Sequence, residues 1–251
     1  MSNFNQELLD EINFVRANPR RYAKKLYKYM EYFNDKILRI PGRNAGIATE
    51  EGAQAFKKAA EFLLNEQRRE PLTPSKGLCQ VSSKLVEEAQ KDADNVANIN
   101  IENLIKQVGG VKGSLSRIFE FGGDTPELVV INLVVSDGDP SRGQRQSLLN
   151  PGVKKIGIAN GIHNMYGHCT VLISATEFKS NDGGEDNRFL DGEYVPNLEI
   201  NNDNEIEEGV IKITKTESYI TENGKKKKIT KIIKHMENGT KQIETIKENA
   251  D

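Results

Sequence analysis

Apolar residues recur at intervals of three and four through Leu8, Leu9, Ile12 and Val15, and again through Tyr22, Leu26 and Tyr29. That spacing marks one buried face of a helix. Asn18-Pro19 interrupts the run. Proline lacks an N–H and constrains the residue before it, so residues 5–33 read as two helices with Pro19 opening the second. After a loop through Pro41 and Gly46, a helix is predicted over 49–66, capped by Thr49, with Ala53, Phe56, Ala60, Leu63 and Leu64 turned inward. Another is predicted over 79–98, with Leu85, Val86, Ala89, Ala93 and Val96 on one side. Residues 99–124 are rich in glycine and weakly periodic, and read as mostly loop with short helical turns. Thr125-Pro126-Glu127 then opens a strongly buried helix built on Leu128, Val129, Ile131, Leu133 and Val134. Two β-runs follow, 155–160 and 168–176, with a turn over 162–167.

Beyond residue 180 the pattern changes twice. Residues 181–208 are acidic, with Arg188 the one basic residue, and read as a solvated linker or extended arm. Residues 209–251 place β-branched residues among Lys and Thr, and Asn223-Gly224 and Asn238-Gly239 separate the runs. Asn-Gly supplies the positive φ that tight hairpins need, which predicts a three-stranded antiparallel meander over 210–221, 227–236 and 240–247. The expected organisation is therefore 1–180, 181–208 and 209–251, in an α+β class.

Charge and cysteine content narrow the function classes. A formal net charge of -2 removes the electrostatic argument for a nucleic-acid binder. No apolar run reaches membrane-spanning length, and the start of the chain lacks the pattern of a secretory leader, so a cytoplasmic location is expected. Cys79 and Cys169 are too few for a disulfide framework and sit in apolar runs, as buried free thiols of a reducing compartment do. No Gly-x-Ser-x-Gly elbow or phosphate-cradling glycine loop is present; Gly109-Gly110 and Gly122-Gly123 read as turns.

The stretch from Ser136 to Ala159, SDGDPSRGQRQSLLNPGVKKIGIA, is the most specific in the chain. It resembles the signature of the CAP superfamily (cysteine-rich secretory, antigen 5 and pathogenesis-related proteins; the SCP domain). The string Glu11-Ile12-Asn13-Phe14-Val15-Arg16-Ala17-Asn18-Pro19, followed by Tyr22-Ala23, resembles the first helix of the same family's disulfide-free branch. The resemblance implies a CAP-type α-β-α sandwich over about residues 5–180. It also implies two His and two acidic side chains around a cleft, a set suited to a zinc-like ion. Here Gln107 or Val108 stands at the first His position, Lys112 at a neighbouring Asp, Ser136 at the second acid and Gln144 at the second His. The loop carrying the first acid is shortened to Phe119-Glu120-Phe121-Gly122-Gly123. No metal or other cofactor is expected. Asp137, Arg142, Arg145 and His163 are the candidate remnant polar site, with the arginines pinning the loop through salt bridges, for instance to Asp137.

The expected function is a noncatalytic intracellular CAP-domain protein serving as a structural or interaction module with protein partners. A cytoskeletal assembly such as the ciliary axoneme is the specific option, by analogy with cytosolic relatives of protists. Lys225, Lys226, Lys227, Lys228, Lys231 and Lys234 form a basic block suited to an acidic partner such as the microtubule surface; the bland alternative is a solvated hairpin. Two rival readings are a lipid or sterol carrier and a metal-dependent protein with a relocated site using His163, His168 and Glu120.

Overall fold

The computed structural model describes residues 4–91, 96–183, 187–190, 192–193, 210–222, 225–236 and 240–249. The chain divides into two compact units, Met1–Tyr194 and Val195–Asp251.

The first unit runs α1 (Phe4–Ala17), α2 (Pro19–Met30), β1 (Phe33–Asn34), β2 (Ile37–Leu38), β3 (Ile47–Ala48), α3 (Ala53–Asn65), β4 (Thr73–Pro74) and α4 (Lys76–Lys91). A 3-10 turn at Val96–Asn98 precedes α5 (Ile101–Val108), β5 (Gly109–Phe121), α6 (Pro126–Val135), α7 (Gly143–Leu148), β6 (Lys155–His163), β7 (Gly167–Ser180), β8 (Arg188–Phe189) and β9 (Gly192–Glu193). The main sheet has the order β4-β6-β7-β5, with β4 parallel to β6 and the other pairs antiparallel. Side chains alternate across a strand, and the two faces bury different cores. Ile156, Ile158 and Leu172 pack with α1, α2, α3 and α6, whereas Ala159, Cys169, Val171, Ile173 and Ala175 pack with α4 and α5. The unit is thus a mixed α+β structure with helices on both faces of one sheet.

Buried polar groups on α1 and α2 lock this arrangement. Asn13 donates to the Leu72 carbonyl at 2.9 Å and accepts from the Leu72 N–H at 2.7 Å, pairing a helix side chain with backbone as a strand would. The Arg16 guanidinium, 1 % exposed, donates to the carbonyls of Glu70, Leu148 and Asn150. Burial, with Arg69 nearby, lowers its pKa to about 10, still far above neutrality. Lys25 Nζ lies 2.6 Å from Glu11 and 3.0 Å from Glu127, joining α1, α2 and α6.

Several expectations need correction. Residues 99–124 are not mostly loop: α5 and a thirteen-residue strand β5 occupy them, and Gly109-Gly110 open β5 opposite Ser180 and Lys179 instead of turning. An irregularity between Lys112 and Leu115 breaks the two-residue alternation and hides the strand from periodicity. Thr49 does not cap α3, since its hydroxyl donates to the Lys36 carbonyl and the helix begins at Ala53. Leu64 is exposed rather than inward. The helix predicted over 79–98 spans Lys76–Lys91, and Ala93 lies outside the described residues. The hairpin strands β6 and β7 run longer than predicted, and α7 was not foreseen. Phe189 is buried in the main core although it belongs to the acidic stretch, while Leu190 is exposed; Tyr194, Val195 and Leu198 lie outside the described residues.

The second unit contains an antiparallel sheet of β10 (Val210–Glu222), β11 (Lys225–Met236) and β12 (Lys241–Asn249), in the order β10-β11-β12. Glu222 pairs with Lys225 and His235 with Lys241. The Asn-Gly pairs themselves lie outside the described residues. Among the described residues, no helix is long and apolar enough to cross a membrane.

Candidate functional site

The candidate site lies where β5, α6 and α7 meet the small β1-β2-β3 sheet. An open cleft of about 370 Å³ there is lined by Leu38, Ile47, Phe56, Asn132, Ser136 and Gln144, among others. β5 is an edge strand. Gln144, on the short helix α7, reaches this strand and donates from Nε2 to the Phe119 carbonyl at 3.0 Å. Ser136 ends α6 in the left-handed region at φ 48, and its hydroxyl donates to the Leu133 carbonyl at 2.7 Å. Both side chains therefore satisfy backbone groups at element ends, where helix carbonyls and strand edges lack partners.

The loop between α6 and α7 is held by charge. Asp137 accepts from the N–H groups of Glu50 at 2.6 Å and Glu51 at 3.0 Å. Arg142 donates to the Ser136 carbonyl and contacts both Glu51 oxygens, at 2.6 and 2.7 Å. The hydrogen bond from Arg142 is the main cause holding the Glu51 carboxyl down to about 2. Arg145 is buried, donates to the Val134 and Val135 carbonyls at the end of α6, and lies over the Phe62 ring. Burial lowers its pKa to about 10. The expected pairing of these arginines with Asp137 is therefore corrected. Asp137 binds backbone, Arg142 takes Glu51, and Arg145 serves helix carbonyls. Ser141 donates to Asp139 at 2.6 Å within the same loop.

Gln107 does not join this group. It sits at the end of α5, accepts from Lys84 at 2.9 Å and lines a separate groove with Gln80, Ser83 and Glu87. Strand geometry of about 3.3 Å per residue puts it roughly 30 Å along β5 from the Phe119 carbonyl that Gln144 holds. Val108 lines the same distant groove. The structure brings together Ser136, Asp137 and Gln144 and leaves Gln107 and Val108 elsewhere.

The cleft also holds Glu120, which the relocated-site reading named, and Asn132, which sequence reasoning missed. Glu120, 4 % exposed, accepts at Oε1 from Asn132 Nδ2 at 2.7 Å and from the Gly123 N–H at 3.1 Å, while its buried Oε2 has no partner among the described residues. Burial pushes its carboxyl pKa up. The available signal for Asn132 was its place as a lone Asn in an apolar helix. Glu51 was also missed, although it stands in an acidic pair just before α3.

The relocated-site trio is corrected as well. Register pairs Glu120 with Thr170, two residues from His168, which places Glu120 and His168 on one face of the sheet. His163 lies opposite Gly167 on the other face, against Phe121 and Tyr166. Its Nδ1 accepts from the Met165 and Tyr166 N–H groups, both at 3.2 Å, a turn-holding role. Among the described residues, no three His, Cys, Asp or Glu side chains gather as a metal site would require. Cys169 is buried, and burial together with Glu120 pushes its thiol up to about 12, away from thiolate chemistry.

No family model matches the chain, and no curated protein matches it. Among solved structures it is similar to a cysteine-rich secretory protein from Staphylococcus aureus, at 12% identity and a TM-score of 0.34, over 61% of this chain and 49% of that one. The chain thus spans about half the length of that structure.

Proposed function

We propose that this chain is a noncatalytic CAP-superfamily protein that works inside the cell as a structural or interaction module. The motif resemblance of residues 136–159 and 11–23 supports the family, and helices on both faces of the sheet agree with its sandwich. One observation carries the reading. The cleft residues standing at the family's ion-holding positions, Ser136 and Gln144, are engaged with backbone carbonyls, and Gln107 sits in another groove. Among the described cleft residues, no hydroxyl or thiol stands paired with a histidine base. The two buried free cysteines support a reducing compartment. A cytoskeletal assembly such as the ciliary axoneme is the proposed setting, with the lysine-rich C-terminal sheet as its docking element.

Affinity capture from cells tests this, comparing the full chain with one ended at Asp182. Loss of partners on truncation is the expected result, and an unchanged partner set removes the docking role. Zinc analysis of fresh protein tests the other half, because stoichiometric metal or turnover lost on mutating the cleft would overturn a noncatalytic role. A second reading, a small-lipid carrier, draws on the apolar wall of Leu38, Ile47 and Phe56 in the 370 Å³ cleft. Mass spectrometry of solvent extracts would reveal a co-purifying lipid.

A further inference from the structure

The register of the C-terminal sheet divides its charges unequally between two faces. Directly opposed residues in antiparallel strands share a face, and successive residues alternate. One face therefore carries Lys225, Lys227 and Lys231 from β11, Lys212 from β10, and Lys241 and Lys247 from β12. Its one acidic position is Glu222, so six lysines stand against one glutamate. The other face carries Lys215, Lys226, Lys228 and Lys234 against Glu217, Glu244 and Glu248, with Lys228 directly opposite Glu248. The lysine block of the sequence is thus split: half of it lies on a near-balanced face and half on a strongly basic one. Lys231, Lys241, Thr245 and Lys247 on the basic face are exposed, and Ile243 is 59% exposed.

We infer that the basic face is a docking surface for an acidic polypeptide segment in extended conformation. This rests on the interaction-module reading and names its partner by chemistry. Along β11 the positions of Lys225, Lys227 and Lys231 repeat at multiples of two residues, about 6.8 Å per step. An extended peptide with acidic residues at alternate positions has the same repeat. Residues 209–251 contain no Arg, Phe or Trp; the one Tyr, Tyr219, is on the other face, and His235 is the single aromatic ring on the basic face. With His235 alone, the basic face lacks the row of stacking groups that single-stranded nucleic acid uses and the Trp or Phe anchors of interfacial membrane binding. Ile229, Ile233 and Ile243 run between the lysines, which suits a partner mixing acidic and small apolar side chains.

The test titrates the full-length protein into a labelled peptide of about twelve residues that alternates Glu and Thr. Binding should fall steeply between low salt and about 0.5 M salt. The set K212Q, K231Q, K241Q and K247Q should weaken it about tenfold or more, as several exposed ion pairs together would. The opposite-face set K215Q, K228Q and K234Q should change it less than about twofold, and a Lys→Arg set on the basic face should retain it, which separates charge from misfolding. Equal weakening by both glutamine sets overturns the inference, as does no binding, or tighter binding to single-stranded DNA or phosphatidylserine vesicles. Face-dependent peptide binding upholds it even where cellular capture fails, and that pattern sinks only the module reading.

Discussion

Among the described residues, Glu120 has one carboxylate oxygen with two donors and another with none. A carboxyl whose pKa is raised on folding stabilises the fold at low pH and loses that contribution as pH rises through its folded value. Glu120, raised from 4.5 by burial, follows that rule. Glu120→Gln keeps an acceptor for Asn132 and Gly123 but carries no charge, so its stability relative to wild type should improve as pH rises above 4.5, read by urea denaturation across pH. Glu120→Leu leaves both donors unmet and should cost about 1–3 kcal/mol. Glu51 has the opposite sign. Its carboxyl is held down to about 2, chiefly by Arg142, so its contribution is full above 4.5 and fades as pH falls from there toward 2. With 26% of the Glu51 side chain exposed, solvent screening limits the pair, and Glu51→Gln should cost about 1 kcal/mol at pH 7. Wild type and Glu51→Gln should melt alike near pH 2; a gap that persists there would assign the effect to packing.

At the scale of elements, the seat of α4 on β6 depends on a missing side chain. A Cβ at Gly157 would collide with the backbone of Leu78 and Cys79. Backbone cannot yield as a side-chain tip can, so Gly157→Ala should destabilise by about 3 kcal/mol or more and lower the thermal midpoint. The join of α1, α2 and α6 depends on charge instead. Lys25→Met leaves Glu11 buried without its cation and should cost about 3–5 kcal/mol, whereas Glu11→Leu with Lys25→Met should recover most of the loss. These two joins differ in how far the sequence showed them. α1 was legible from its apolar spacing, and α2 and α6 because Pro19 and Thr125-Pro126 mark their starts; Thr125 indeed accepts from the Leu128 N–H at 3.2 Å. β5 was not, because three glycines, a polar stretch and a register shift remove its alternation, and only pairing with β7 makes it a strand. In the cleft, the positions of Ser136 and Gln144 were readable from motif spacing. Their carbonyl partners depend on helix ends and strand edges brought close only by folding.

For the whole molecule, the two thiols report on integrity. Cys79 and Cys169 are both buried, one on each side of the α4–sheet contact. Native protein should resist maleimide at neutral pH, and both sites should label together in denaturant; early labelling of one alone would reveal a separately opening layer. One anchor also bears on how the chain is made. Arg16 reaches the carbonyl of Leu148, 132 residues further on, and that of Asn150 beyond it. A ribosome adding roughly 5–20 residues per second needs about 7–26 s to supply those acceptors after Arg16 emerges. Until then Arg16 has only its Glu70 acceptor, so the full set of partners that seats the first helix must wait for the later half of synthesis.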